Sequence, residues 1–390
     1  MAVDLLTLDK ECDTPPTRLV TGPGSADAFE RELRAFGARR VLVVASAGAL
    51  RRTSFLSRVD APDVRVFTGF SPNPNLDDVL EGCAVRDAQQ PGLIVGIGGG
   101  SAMDVAKMVR LLPADPARAR SVLAAPAPGR AAARTPLVLI PTTAGTGSEV
   151  TQFATVFVDG LKQSLDLAAA RATVALVDPV LSHSCPWEVS ASCAFDALAH
   201  ALESYWSIRS TPRSRELAAT AAVGIAEVLS RAEGGFSESD RQVLSSLSTR
   251  AGQAIDLTRT TVGHAFAYPL TVRFGVPHGL ACVLSLSWLF PLSESALADP
   301  PACQDPRGAP FVRARLRRMA GFLGVDSPDR LGQALRSLIT AAGFPDTLGA
   351  YGVRRADVPV LFQEAMSSSR SSNTPVQVPA DAPDYLAAHL

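Results

Sequence analysis

The segment L-I-V-G-I-G-G-G-S-A-M-D-V-A-K, residues Leu93–Lys107, decides how the first half of the chain is read. Leu93 to Ile97 is an unbroken apolar run, the pattern of a parallel strand buried on both faces. It passes directly into consecutive glycines and then into a helical pattern. Backbone N–H groups in such a turn approach a phosphate closely, and the helix N-terminus adds a favourable dipole. The string departs from G-x-G-x-x-G, because Ser101 stands at the last glycine position, and it lacks the G-K-[ST] ending of a P-loop. Gly-rich βα turns also occur without a ligand. Ser101 is placed to cap the helix, while Asp104 and Lys107, one turn apart, either pair with each other or reach a ribose.

A βα rhythm extends on both sides. Upstream, R-L-V-T-G-P-G-S reads as a strand ending in a turn, Ser25 to Phe36 as an amphipathic helix, and Val41 to Ala45 and Val64 to Phe70 as strands. The turn-rich F-S-P-N-P-N, ending at Asn75, precedes a helix from Leu76. Downstream, Pro113 to Arg134 reads as a helix end and a loose surface loop. T-P-L-V-L-I-P-T-T-A-G-T-G-S-E-V-T, Thr135 to Thr151, is a buried strand that delivers the hydroxyls of Thr142, Thr143, Thr146 and Ser148 in a loop with two glycines. Such a loop suits a pyrophosphate or a ribose, or is a plain Thr/Gly hairpin. A second hairpin carries Lys162, and A-T-V-A-L-V-D-P is the last strand. From about Pro186 helical periods dominate: Ser192 to Ser207, Arg215 to Ala232, Ser239 to Ala254, Leu280 to Leu289, Phe311 to Leu323, Arg330 to Ala342, and a segment after Val358. The expected boundary therefore lies near residue 185, with an α/β domain over 1–185 and an all-helical domain over 186–390.

Composition narrows the partners. Among 390 residues, 47% are hydrophobic and 19% charged, and the formal net charge is -1. That balance offers no field for nucleic acid or an anionic membrane, so a small molecule is the expected partner. No apolar run approaches the roughly 20 residues of a membrane helix, and the first residues lack a signal-peptide layout, so the expected location is the cytoplasm. The six cysteines form no C-x-x-C pair, which suits free thiols. Only Lys10, Lys107 and Lys162 are lysines; arginine carries nearly all the positive charge.

F-D-A-L-A-H-A-L-E-S-Y, Phe195 to Tyr205, places Asp196 and His200 one turn apart on a helix. A carboxylate and an imidazole so spaced grip a divalent metal if further ligands arrive, or else form a solvated face. His264 and His278 lie beside Pro and Gly in H-A-F-A-Y-P-L-T and V-P-H-G-L, and are expected on two distant turns.

Three of these strings together resemble the iron-containing (group III) alcohol dehydrogenase family: G-G-G-S-A-M-D-V-A-K, P-T-T-A-G-T-G-S-E-V-T, and F-D-A-L-A-H-A-L-E followed by two spaced histidines, the latter in P-H-G. The resemblance covers nearly the whole chain. It implies a dehydroquinate synthase-like architecture: a Rossmann-like parallel sheet for the dinucleotide, then an all-α metal-binding domain, usually in a homodimer. Asp196, His200, His264 and His278 would coordinate Fe²⁺, or Zn²⁺ in some members. NADH or NADPH would lie along Gly98, Gly99, Gly100 and Ser101, with Asp104, Thr142, Thr143, Thr146 and Lys162 around it, and Ser46 and Asn75 completing the set.

Two positions depart from the family pattern. Tyr268 stands where many members carry another histidine that relays a proton, and a phenol is a much weaker acid than an imidazolium. Ser46 stands where NAD-preferring members tend to hold an acidic residue, with Arg51 and Arg52 close behind, so NADPH should be tolerated. Within the family, the segment from His264 to Gly279 and the R-S-S-N-T-P of the C-terminal region, Arg370 to Pro375, resemble the phosphonoacetaldehyde reductases. This implies an anionic aldehyde substrate, with Arg259, Arg273, Arg370 and Asn373 as candidate contacts, since the guanidinium fork matches a phosphonate. The competing expectations are a reductase of neutral aldehydes such as lactaldehyde or propanal, and a metal-dependent lyase of the dehydroquinate-synthase kind.

Overall fold

The computed structural model describes residues 2–5, 17–53, 55–126, 135–388 and 390, which leaves Lys10, Cys12 and the end of the Pro113–Arg134 stretch outside the described residues. The chain divides into two compact units, Met1–Cys185 and Pro186–Leu390.

Unit 1 is built on a seven-stranded sheet. Its strands are β1 (Ala2–Leu5), β2 (Arg18–Thr21), β3 (Arg40–Ala45), β4 (Asp63–Phe67), β5 (Leu93–Gly98), β6 (Leu137–Pro141) and, after a separate hairpin of β7 (Phe153–Val158) and β8 (Leu161–Asp166), β9 (Val174–Val177). The order is β1-β2-β9-β6-β5-β3-β4, parallel except for β1 against β2. Alternate residues of the same strand enter different cores. Leu42, Val44, Ile94, Leu137 and Leu139 pack on one face, and Val41, Val43, Leu93, Val95, Val138 and Ile140 on the other. This two-sided burial is why these strands read as continuous apolar runs.

The connecting helices are α1 (Phe29–Phe36), α2 (Ala47–Arg52), α3 (Leu76–Gln89), α4 (Gly100–Leu111) and α5 (Pro116–Ala124). Four details differ from the sequence reading. Ser25–Ala28 is a 3₁₀ turn ahead of α1. The strand expected to reach Phe70 stops at Phe67, because the chain turns there and Phe70 N–H donates to Thr68 O at 2.9 Å. The stretch expected as a loose loop contains α5, which Asp115 caps by accepting from Arg118 N–H, with Pro116 in the first turn. The cap of α4 is Gly99, with no side-chain bond; Ser101 lies inside the first turn.

Asp104 and Lys107 do not pair. Lys107 is fully buried and donates to Ser148 Oγ at 2.9 Å, Thr151 Oγ1 at 3.3 Å and Phe153 O at 2.7 Å. Asp104 accepts from Ser148 Oγ at 2.7 Å and from the N–H and hydroxyl of Thr155 at 2.9 and 2.8 Å. Ser148 thus joins both, and the pair ties the threonine-rich loop and β7 onto α4. A buried ammonium needs acceptors for its protons, and these oxygens supply them.

Unit 2 is helical: α6 (Trp187–Trp206), α7 (Pro212–Ser230), α8 (Glu238–Thr258), α9 (Val262–Phe274), α10 (His278–Ala296), α11 (Ala309–Phe322), α12 (Leu331–Ala341), α13 (Val358–Met366) and α14 (Ala382–Ala388). α9, with Pro269 inside it, has no counterpart among the expected helices. Consequently His264 is not on a turn but in the first turn of α9, and His278 is the first residue of α10. By length and composition alone α10 would also pass as a membrane span, but most of its apolar stretch is buried inside the structure, as in a core helix.

α10 packs on α6, α9 and α12, and two glycines let it approach backbone to backbone. A Cβ on Gly279 would lie 1.9 Å from Ser192 O and 2.5 Å from Asp196 N; one on Gly332 of α12 would lie 2.1 Å from Ser287 O. Contacts that short are impossible, so the P-H-G glycine sets how close His278 comes to α6. Gly279→Ala is expected to push α10 off α6, destabilising the protein by about 3 kcal/mol or more and lowering the bound metal per chain. Gly321→Ala, at an open helical position, should be neutral or slightly stabilising. Thermal unfolding and metal analysis of both variants check this.

Candidate metal and dinucleotide sites

In unit 2, α6 presents Asp196, His200 and Glu203 at i, i+4 and i+7, on one face and all nearly inaccessible, at 5, 6 and 0% exposure. Glu203 organises the start of α9. One carboxylate oxygen accepts from Thr261 N–H (3.1 Å), Thr261 Oγ1–H (2.6 Å) and His264 N–H (3.2 Å), and the other meets His264 Nδ1. With a proton on Nδ1 facing Glu203, Nε2 would be the atom offered to a metal ion. A Cβ on Gly263 would lie 3.0 Å from the same carboxylate, so a glycine before His264 lets α9 come in this close.

Three imidazole nitrogens converge on Asp196 Oδ1: His264 Nε2 at 3.4 Å, His200 Nε2 at 3.7 Å and His278 Nε2 at 3.9 Å. The His200 and His264 rings stack, centroids 4.7 Å apart, and His278 stands nearly perpendicular to His264 at 5.6 Å. Burial pushes His200 down to about 4, leaving it neutral. Burial acts to raise Asp196, yet His200, His264 and His278 hold it well below the usual carboxylate range. For His264, burial acts downward, and Cys282, Glu203 and Asp196 together carry it well above its usual value.

The donor set fits a divalent cation. Two ligands about 2.1 Å from a tetrahedral ion are about 3.4 Å apart, close to the separations here. His264 Nε2 is buried with no hydrogen-bond partner, and Asp196 and Glu203 bring two buried negative charges that a 2+ ion balances. Cys282, one turn after His278, also belongs to the cluster: donor atoms of Asp196, His264, His278 and Cys282 all lie within 4.8 Å of one another.

The ring of Tyr268 stacks on His278, with centroids 5.7 Å apart and planes at 3°, and the Arg370 guanidinium lies 5.5 Å from the Tyr268 centroid while donating to Thr260 Oγ1 at 2.7 Å. The other substrate candidates sit elsewhere. Arg273 is about 13 Å along α9 from His264 and is paired with Glu364 at the surface. Arg259 donates to Asp256 O at 2.7 Å and has φ 69° and ψ 168°, a backbone conformation natural to glycine. Asn373 clamps that kink from both sides, its amide donating to Thr258 O (2.8 Å) and Thr260 O (3.0 Å) while its oxygen accepts from Ser207 Oγ (3.0 Å).

In unit 1, the ends of β3, β5 and β6 gather most of the dinucleotide candidates. Gly98 has φ 148°, and Thr142 N–H donates to its carbonyl at 2.8 Å. A Cβ on Gly100 would lie 2.7 Å from Thr146 Cγ2, one on Gly99 3.3 Å from Thr143 Oγ1, and one on Gly98 3.1 Å from Ser46 Oγ. The Thr142 hydroxyl is buried without a hydrogen-bond partner. Ser101 accepts from Asn73 N–H at 3.4 Å, which draws in the F-S-P-N-P-N loop. Lys162 lies opposite Phe157 in the β7–β8 hairpin, and Asn75 bridges to the same Phe157. The Asn75 side chain caps α3, and both oxygens of Asp104 are engaged inside the unit as described.

Glu203, Thr261, Cys282, Gly263 and Gly279 are absent from the sequence candidates. Helical spacing would have found Glu203, seven residues after Asp196, and Cys282, four after His278; the two glycines and Thr261 matter only through contacts between helices.

Comparison with known proteins identifies the family. The family model described as iron-containing alcohol dehydrogenase matches residues 16–179, and its C-terminal counterpart matches residues 190–382. The phosphonoacetaldehyde reductase of Streptomyces viridochromogenes is 33% identical over 84% of this chain and 88% of its own length. Long-chain-alcohol dehydrogenase 1 of Geobacillus thermodenitrificans is 30% identical over 91% and 90%. The crystal structure of sulfoacetaldehyde reductase from Bifidobacterium kashiwanohense in complex with NAD+ superposes with a TM-score of 0.82 at 27% identity, covering 100% of this chain and 98% of that one. With both halves matched and the fold shared, the chain belongs to the iron-containing alcohol dehydrogenase family and is an alcohol/aldehyde oxidoreductase.

Proposed function

We propose that this enzyme reduces a short aldehyde carrying a tetrahedral anion, phosphonoacetaldehyde above all, to the primary alcohol 2-hydroxyethylphosphonate, using NADPH or NADH and a divalent metal, Fe²⁺ or Zn²⁺. The observation that carries the substrate reading is Arg370. It stands over the Tyr268 ring that stacks on His278. Two relatives are named for aldehydes of this shape, one ending in a phosphonate and one in a sulfonate.

When bound, a divalent ion supplies Lewis acidity toward the carbonyl oxygen and a reduced nicotinamide supplies hydride. The chain's own residues hold, orient and neutralise. Asp196, His200, His264 and His278 hold the ion, and Glu203 keeps the His264 ring in the tautomer that offers Nε2. Tyr268, one turn after His264 with its ring stacked on His278, offers a phenolic hydroxyl in place of the family's histidine. Arg370 offers a planar fork to the anionic end of the substrate, so that the aldehyde end is oriented. In unit 1, Gly98 to Ser101 and the N-terminus of α4 receive the pyrophosphate, with Thr142, Thr143 and Thr146 beside it and Lys162 on the hairpin.

Arg370→Ala is expected to raise KM for phosphonoacetaldehyde about 10- to 100-fold, the loss of one charge-assisted pair, and to change propanal kinetics less than about threefold. Equal effects on both aldehydes would return the enzyme to the neutral-aldehyde class. Glu203→Gln should weaken metal affinity about 10- to 100-fold, read by chelator competition, since His264 loses its carboxylate partner. Ser46 caps α2 by accepting from Ala49 N–H at 3.2 Å, and Asp caps equally well. Ser46→Asp should therefore keep the fold while cutting kcat/KM for NADPH about tenfold or more relative to NADH; a wild type already strongly selective for NADH, and unchanged by the substitution, refutes the cofactor reading.

A further inference from the structure

We infer that Cys282 is a further, sulfur donor to the metal ion at Asp196, beside the imidazoles that hold it, so that the centre is not one of oxygen and nitrogen alone. Cys282 lies one turn after His278 on α10, so the helix that delivers the imidazole delivers the thiol to the same place. Its Sγ is 3.9 Å from His278 Nε2 and 4.0 Å from Asp196 Oδ1. A sulfur about 2.3 Å and a nitrogen or oxygen about 2.1 Å from one ion are about 3.6 Å apart at a tetrahedral angle.

A second observation points to the same spot. His264 Nε2 is buried, has no hydrogen-bond partner, and belongs with Asp196, His278 and Cys282 to a foursome whose donor atoms all lie within 4.8 Å. His200 approaches Asp196 Oδ1 at 3.7 Å but is not part of that foursome. The thiol's surroundings differ from those of a core cysteine. Cys83, equally buried, sits among aliphatic side chains such as Leu76, Val79 and Val109, whereas Cys282 faces a carboxylate and two imidazoles. Sulfur is a soft donor that suits Zn²⁺ and Co²⁺ better than a purely oxygen and nitrogen set does. On binding, the thiol releases its proton to solvent as the metal–sulfur bond forms.

The inference concerns the metal centre and is independent of which aldehyde is the substrate. It is tested on the full-length protein stripped of metal and reloaded with Co²⁺ or Zn²⁺. The wild type with one Co²⁺ per chain should show a sulfur-to-cobalt charge-transfer band in the near ultraviolet. Cys282→Ser should lose the band, and the Cys83→Ser control should keep it. X-ray absorption at the zinc edge of the wild type needs no variant and should show a sulfur neighbour at about 2.3 Å. A bound ion with only nitrogen and oxygen neighbours, or a band that survives in Cys282→Ser, overturns the role of Cys282 and leaves the metal site standing. A chain that binds neither ion overturns both.

Discussion

Two carboxylates buried on one face of α6, Asp196 and Glu203, constrain everything around them in the helical unit. An uncompensated buried carboxylate costs several kcal/mol, so each must be met by donors or cations. Glu203 is met by the first residues of α9, which it positions through two backbone N–H groups, a hydroxyl and the His264 ring. Asp196 is met by three imidazoles drawn from three helices. The charge requirement and the metal requirement are therefore one requirement: a 2+ ion satisfies the histidine nitrogens and balances the pair.

Small residues make that convergence possible. Gly279 and Gly263 flank the two downstream histidines in sequence, and each removes a side chain that would keep its helix away from α6. The strained backbone of Arg259 belongs to the same construction, since it turns the chain from α8 into α9 in the space available, and Asn373 holds the peptides on both sides of the kink. Unit 1 uses a similar device with opposite signs. Lys107 and Asp104 share Ser148 and hold the threonine loop against α4, so that the loop meets the glycine turn with little room between them.

The arginines sort by surroundings. Arg273 forms a surface pair with Glu364, Arg259 serves the turn before α9, and Arg370 stands over Tyr268. Sequence proximity to a motif nominated all three equally, since distance along the chain carries no information about which way a side chain faces. Charge alone therefore does not identify a substrate contact in a chain so rich in arginine.

Much was legible from residue order because local physics is strong there. Two-sided burial wrote the strands as apolar runs, the glycine turn announced the start of α4, and the i, i+4 spacing put Asp196 and His200 on one helix face. What the order of residues left open was settled by packing between distant segments. α9 holds together around Pro269 through its apolar burial, and His264 and His278, expected on two distant turns, lie in the first turns of α9 and α10. The roles of Glu203, Cys282 and Gly279 depend on which surfaces of α6, α9 and α10 meet, and at what separation. Such contacts join residues tens of positions apart, and only the folded chain determines them.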